Sequence, residues 1–184
     1  YNLFTFNLNT QAIIPDTFKV LMIVKPTISF SDEEKLKIDQ FVMRGGKVLL
    51  FVDKLNAEMD SLRIKNEVIA YDRGLELNDL LFKYGARVNS DLVMDLQSDK
   101  LPFDVNGNGQ FDYLIWNYFP VFASASNHPI NKNIGFVSGK FVNSIDTVGA
   151  EGIKKTFLLS SSRNSRTIAT PALISGNENI NAPQ

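Results

Sequence analysis

One stretch decides how this chain begins to fold, residues 18–53, which read FKVLMIVKPTISFSDEEKLKIDQFVMRGGKVLLFVD. Residues 18–24 are almost continuously apolar and end at Lys25-Pro26, which is typical of a short strand buried on both faces of a parallel sheet. Residues 47–53 repeat this pattern. The stretch therefore predicts two buried strands separated by a segment of about the length of one helix.

The segment between these strands carries helix signals at both ends. Ser31 and Glu34 have the spacing of a capping box, in which each side chain satisfies the backbone N–H of the other residue. The glycines at positions 45 and 46 can adopt the positive φ that ends a helix. The apolar residues Ile38, Phe41 and Val42 fall on one helical face. The sequence predicts a right-handed βαβ unit, the opening of a layered α/β domain.

The rest of the chain is less regular. Residues 54–73 are polar without a clean period, which favours a loop or irregular helix over the sheet edge. Residues 77–84 have a 3.6-residue apolar period followed by Gly85, so a second helix is expected, and residues 86–95 look extended. From Leu101 onward, β-branched and aromatic runs alternate with turn residues. We expect one α/β domain over residues 1–174, with a β-rich second half, and a polar tail or linker over residues 175–184.

Composition removes several classes of function. The 184 residues include 19 basic and 20 acidic ones, a formal net charge of −1, which provides no field to hold nucleic acid. The absence of cysteine excludes disulfides and thiolate chemistry, and the single histidine, His128, excludes sites with two histidine ligands. No apolar run reaches the roughly 18–20 residues that span a membrane, so the chain as given is expected to be soluble.

Residues 104–112 read DVNGNGQFD and form the most specific short motif. Oxygen-bearing side chains alternate with small residues, as in calcium-binding loops. The candidate calcium ligands are Asp104, Asn106, Asn108, Gln110 and Asp112. The twelfth position of such a loop falls on Ile115, which lacks the required carboxylate. The alternative, which we favour, is a hairpin turn built on Asn-Gly-Asn-Gly.

The other candidate ligand-binding residues are scattered along the chain. Asp53 follows a predicted parallel strand, at the edge where open α/β sheets bind ligands, although we favour a role as a cap or turn residue after the strand. His128 precedes a proline in a loop and has no partner near it in sequence. Ser161, Arg163 and Arg166 could hold an anion or a sugar, but a solvated loop is the commoner meaning of such a cluster.

One aromatic cluster also has two interpretations. Trp116, Tyr118 and Phe119, next to Pro120, could form an exposed recognition surface. Aromatic clusters in β-rich regions are more often part of the core.

A family resemblance spans about residues 15–171 and rests on a series of short motifs. These are IPD at 14–16, the 31–53 unit, EMDSL at 58–62, RGLELNDLLFKYG at 73–85, DLVMDLQ at 91–97, YFP at 118–120, HPI at 128–130 and GIKKT at 152–156. In them the chain resembles GldG-type proteins, the gliding-associated auxiliary subunits of ABC transporters in Bacteroidetes, within the wider family of ABC-transporter auxiliary domains. The 104–112 segment is unlike the usual family pattern.

The resemblance implies a domain on the periplasmic side of the inner membrane, anchored by membrane helices outside this chain. It implies a permease and an ATPase subunit as partners, and a sheet similar to the class I glutamine-amidotransferase-like or flavodoxin-like folds. The catalytic cysteine of amidotransferases has no counterpart here, and no catalytic residues are carried over from the family.

Two functions follow as hypotheses. A non-enzymatic binding module of a transport and gliding machine predicts an exposed apolar patch and no convergent polar pocket. A hydrolase or carbohydrate-binding domain on an amidotransferase-like scaffold requires Asp53 and His128, or a second acid, to meet in one cleft. The sequence pairs no such groups, so we expect no enzyme and no cofactor, with calcium as the one possible exception.

Overall fold

The predicted βαβ unit opens the chain. In the computed structural model, which describes residues 2–65, 67–103 and 108–175, strands β1 (Val20–Val24) and β2 (Lys47–Phe51) pair in parallel. Helix α1 (Asp32–Met43) connects them. Val20 pairs with Lys47, Met22 with Leu49 and Val24 with Phe51.

The helix ends follow the local sequence signals. The Glu34 N–H donates to the Ser31 hydroxyl at 3.3 Å, and the Ser31 N–H donates to the Glu34 carboxylate at 2.8 Å, so the capping box is confirmed. At the other end Gly45 has a φ of 91°, which a residue with a Cβ rarely adopts. Two orphan N–H groups are thereby satisfied at the N-terminus and the chain turns sharply at the C-terminus.

Two further helices and eleven further strands follow in the described residues. Their bounds are β3 (Leu55–Asn56), α2 (Met59–Lys65), β4 (Glu67–Asp72), α3 (Asn78–Lys83), β5 (Ala86–Val88), β6 (Asp91–Asp95), β7 (Ser98–Phe103), β8 (Asp112–Ser124), β9 (Val137–Ser138), β10 (Ile145–Thr147), β11 (Leu159–Ser160), β12 (Ser165–Ala169) and β13 (Ala172–Ser175). The second predicted helix, its terminal Gly85 and the β-rich second half are confirmed. The prediction of a loop or irregular helix over residues 54–73 holds only for the helix α2, because the range also contains the strands β3 and β4.

The predicted layered α/β fold was also wrong. Among the described strands only β1 and β2 are parallel; every other pairing is antiparallel and falls into small separate sheets, with orders β13-β4-β3, β11-β8-β7, β10-β5 and β12-β6, and with β9 on β8. A flavodoxin-like or amidotransferase-like core needs several crossovers in succession. Here the chain leaves α3 into β5, whose partner is β10 and not β1 or β2. The fold is therefore β-rich with one parallel unit.

Two hydrophobic clusters hold the molecule together. The first lies under α1 and α3 and is centred on Ile14, Ile38, Phe41, Leu77 and Leu80. The second lies among the antiparallel strands and has the central aromatic residues of β8, Trp116, Tyr118 and Phe119, with Phe141 against them. The core interpretation of these aromatic residues is thus confirmed.

The clusters are linked where β2 ends. The Lys54 N–H donates to Asn143 Oδ1 at 3.0 Å, and Asn143 Nδ2 donates to the Asp91 carbonyl at 2.8 Å. Asn143 is buried and both of its side-chain bonds go to backbone groups. This asparagine therefore joins the parallel unit to β6 of the β-rich part.

Candidate functional site

The carboxyl ends of β1 and β2 carry a cluster of charged side chains. Lys25, the residue after β1, donates to Glu58 at 3.0 Å and lies 3.9 Å from Asp53, the second residue after β2. Arg73 donates to the other oxygen of Glu58 at 2.7 Å and to the Leu55 carbonyl at 2.9 Å. Both oxygens of Glu58 are thus bound to cations.

A second ion pair lies beside this cluster. Lys54 Nζ is mostly buried, lies 3.7 Å from the Asp72 carboxylate and donates to the Val88 carbonyl at 3.0 Å. Asp72 also accepts hydrogen bonds from the Ser90 hydroxyl and from the Gly74 N–H. These donors hold the Asp72 side chain in one place between β4 and β6.

The environment keeps these carboxylates ionised. The hydrogen bond from Lys25, together with Arg73, lowers the pKa of Glu58 although partial burial opposes the shift. Burial raises the pKa of Asp72, but the bonds from Ser90 and Gly74 and the Lys54 charge outweigh it, so the pKa is lowered overall. A general acid or base at neutral pH needs a pKa near the working pH. Neither carboxylate is tuned for that role.

A cleft extends from this edge into the space under β2. One hollow, of about 280 Å³, lies between the inner face of β1 and β2 and the two helices α1 and α3; its walls include Ile23, Val42 and Leu80. A second hollow, of about 430 Å³, lies between β2 and the strands β5 and β10. Leu50 and Leu81 line both hollows, so the two are adjacent. A smaller polar hollow of about 130 Å³ contains Lys54 and Asp72.

An ion pair between a buried carboxylate, Asp39, and an exposed lysine, Lys83, lies beside the first hollow. Tyr84 lines the first hollow, and its hydroxyl donates to Asp39 Oδ1 on α1 at 2.7 Å. Lys83 donates to the other oxygen of Asp39 at 2.8 Å. The Lys83 and Tyr84 bonds lower the pKa of Asp39, while burial and the Asp39 contact raise the pKa of Tyr84 to about 12. The contact ties α3 to α1.

The structure does not bring the predicted ligand-binding residues together. Asp53 lines the second hollow. His128 lies in a turn, where its Nδ1 accepts the Ile130 N–H at 3.3 Å. Ser161 bonds to Ser165, and Arg166 is exposed with its guanidinium 3.8 Å from the Met94 sulfur. Arg163 is exposed in the turn between β11 and β12.

The serine-rich loop that contains Ser161 contributes to structure in a way the sequence did not reveal. Asp95, at the end of β6, is fully buried and accepts hydrogen bonds from the Ser162 N–H at 2.7 Å, from the Ser162 hydroxyl and from the Gln97 N–H at 2.9 Å. The hydroxyl group of Ser162 therefore forms a hydrogen bond to a buried carboxylate of the protein itself. No local pattern marks Asp95, because Ser162, which supplies two of its three donors, is 67 residues away.

The structure does not test the calcium hypothesis. Asp104 and Asn106 lie outside the described residues, while Asn108, Gln110 and Asp112 lie within them. Asn108 Oδ1 accepts the Gln110 N–H at 2.9 Å, which is an Asx-type turn contact. In the described part of the chain, no three histidine or carboxylate side chains gather as a metal site would require.

An exposed apolar surface lies on the outer face of β1 and β2, and sequence analysis missed it. Five of its six side chains are apolar and between 46% and 61% exposed, and the sixth is Lys47; the apolar ones are Val20, Met22, Val24, Leu49 and Phe51. We call these six residues the outer β1–β2 face. Parallel sheets are normally covered on both faces. Burial on both faces was predicted wrongly, because α1 covers only the inner one.

Comparison with known protein families identifies the family to which the chain belongs. Residues 1–184 match the family described as "ABC-type uncharacterized transport system", and the chain belongs to this family of ABC-transport auxiliary proteins. Membership indicates an auxiliary component that associates with the components of a transporter. No curated protein and no solved structure matches the chain. Of the helices that the structure describes, none has the length and apolar character needed to cross a membrane.

Proposed function

We propose that this chain is a non-enzymatic, extracytoplasmic binding domain of an ABC-type transport system associated with gliding motility. In this proposal it lies on the periplasmic side of the inner membrane and is anchored by helices of the full-length protein. It contacts the permease and, through it, works with the ATPase subunit. Family membership and the GldG-like motifs support the proposal.

The outer β1–β2 face is the observation that carries it. Five half-exposed apolar side chains lie side by side on two paired strands, which is the kind of contiguous patch that marks a protein–protein contact. The charged residues at the strand ends, by contrast, are engaged with each other. Surface for binding is thus exposed while the polar groups needed for chemistry are already paired.

The hydrolase or carbohydrate-binding alternative has less support. It requires Asp53 and His128, or a second acid, in one cleft. Asp53 lines the second hollow and lies 3.9 Å from Lys25, whereas the ring of His128 accepts a hydrogen bond within its own turn. No described hydrogen bond or ion pair connects the two residues.

A pull-down of the full-length protein with its neighbouring permease tests the proposal. A double substitution on the outer face, Met22→Gln with Phe51→Gln, should abolish recovery of the permease while thermal unfolding stays cooperative, because both side chains are more than half exposed. The matched control is Leu36→Gln with Met43→Gln, which changes two exposed apolar residues of α1. If both doubles recover the permease as well as the wild type does, the face is not the contact; if the wild type recovers no membrane partner, the proposed function is wrong.

The extracytoplasmic location has its own test. Protease added to spheroplasts should digest the domain in the full-length protein, while a cytoplasmic marker stays intact. Protection of the domain until the inner membrane is lysed would contradict the proposed location.

A further inference from the structure

The two hollows under β2 share a chemical character that the proposed function does not use. The first is lined almost entirely by aliphatic side chains, with Tyr84 as the exception, and the hydroxyl of Tyr84 is bound to Asp39. The second continues past Leu50 and Leu81 along the side chains of Val52, Val88 and similar residues. Apolar side chains thus line the first hollow and much of the second, which also contains Asp53, Lys140 and Asn143, and such walls suit a ligand with an extended apolar part.

The volumes of the two hollows and the poor hydration of their walls also favour an apolar ligand. Hollows of about 280 and 430 Å³ lie within or close to the range of roughly 300–1,000 Å³ that small-molecule sites occupy. Water against concave aliphatic walls has few hydrogen-bond partners, so an apolar group that displaces it gains affinity. A hydrocarbon chain is the simplest group that can follow both hollows.

The polar groups around the second hollow differ in whether an ion pair or hydrogen bond within the protein satisfies them. Asp53 faces Lys25 at 3.9 Å, and Asn143 is bonded to backbone on both sides. Lys140 is exposed, and its ammonium lies 5.5 Å from the centre of the Phe119 ring. Among the described carboxylates, none lies within ion-pair distance of this ammonium. Lys140 is therefore a residue of this hollow whose positive charge is not offset by a described carboxylate.

From this combination we infer that the cleft binds a single-chain amphiphile with an anionic head, of the fatty-acid class. The hydrocarbon chain of the ligand lies along the aliphatic walls between α1, α3 and β2, and its carboxylate lies at Lys140. Pairing of the ligand carboxylate with an exposed ammonium adds a modest, salt-sensitive contribution to the affinity, beyond that from burial of the hydrocarbon chain. The inference does not depend on the transport partner.

Three ligands with the same ten-carbon chain separate the contributions of chain and head. Titration calorimetry of this 184-residue chain in detergent-free buffer, below the aggregation limit of each ligand, should show saturable binding, with affinity falling in the order decanoate, decanol, decyltrimethylammonium. Lys140→Gln should weaken decanoate about fivefold and leave decanol unchanged. Lys132→Gln, another exposed lysine that does not line the cleft, is the matched control and should change neither ligand.

Substitutions that fill the two hollows with a larger side chain test where the hydrocarbon chain of the ligand lies. Val48→Phe in the first hollow and Val88→Phe in the second should each reduce the binding of decanoate and decanol alike, in variants whose thermal unfolding remains cooperative. Absence of saturable decanoate binding to the wild type would overturn the inference. Equal affinity for decanoate and decanol, with no effect of Lys140→Gln, would overturn the assignment of the head group. Because Lys140 is exposed, that substitution stays informative even where a phenylalanine variant does not fold.

Discussion

The hydroxyl of Tyr84 donates a hydrogen bond of 2.7 Å to the carboxylate of Asp39, across the gap between α3 and α1. Tyr84 lines the first hollow, and two ion pairs, Lys83–Asp39 at 2.8 Å and Lys35–Asp79 at 2.7 Å, also join the two helices. The bond therefore contributes, with these ion pairs, to the spacing of the helices that form two walls of the first hollow.

Removing this hydroxyl should loosen the helix pair. We expect Tyr84→Phe to lower the free energy of unfolding by about 1–2 kcal/mol, because a buried carboxylate loses one of its hydrogen-bond donors. Urea unfolding followed by circular dichroism measures this. Tyr113→Phe is the control, since Tyr113 is 68% exposed and should change stability by less than about 0.5 kcal/mol. Equal effects of the two substitutions would show that the bond does not contribute.

The same contact predicts how stability depends on pH. The pKa of Asp39 is lowered in the folded protein, chiefly by the bond from Lys83, so its contribution is present above the unfolded pKa and is lost as the pH falls through the folded pKa. The pKa of Tyr84 is raised to about 12, so its contribution is present below the unfolded value of about 10 and is lost as the pH rises through the folded value. Thermal melts of wild type and Tyr84→Phe between pH 8 and about pH 12 should converge at the alkaline end. A constant difference across this range would contradict the assignment.

The capping box predicts a local loss of stability. We expect Ser31→Ala to cost about 1 kcal/mol, because the Glu34 N–H loses its acceptor at the start of α1. Ser29→Ala, an exposed serine before the helix, is the control. The two variants are compared by denaturant unfolding, and a Ser31→Ala protein as stable as Ser29→Ala would mean that the cap is not needed.

Asp95 predicts a larger effect. Its carboxylate accepts bonds from three donors, and an asparagine in its place would direct an NH₂ group at one of them while buried. We expect Asp95→Asn to lower the free energy of unfolding by about 2–3 kcal/mol. Asp99→Asn, at an exposed position of β7, makes the same chemical change and should be nearly neutral. If urea unfolding gave similar free energies for the two variants, the hydrogen bonds to Asp95 would not be important for stability.

The calcium hypothesis remains a prediction with a simple measurement. If the 104–112 segment binds calcium, millimolar calcium should raise the melting temperature, and Asp104→Ala or Asp112→Ala should abolish the rise. Magnesium at the same concentration controls for ionic strength. A melting curve that calcium does not change would leave the hairpin-turn interpretation of Asn-Gly-Asn-Gly.

Parts of the candidate site could be predicted and others could not. The position of Asp53 at the end of a parallel strand follows from the apolar run before it, and the structure places Asp53 at the cleft. Lys54, the next residue, falls in a stretch that looks solvated, yet it is mostly buried because Asp72 and the Val88 carbonyl lie beside it. Those partners are 18 and 34 residues away, so no local pattern could indicate them.

By itself, the sequence determined α1 with its capping box, the turn at Gly45, the second helix before Gly85 and the β character of the later residues. These depend on contacts between near neighbours in the chain. Only the tertiary structure decided that β5 pairs with β10, that the outer β1–β2 face is exposed, and that Leu50 and Leu81 line two adjacent hollows. An apolar run shows that a strand prefers to be covered, but which remote segment covers it depends on long-range packing that periodicity does not record.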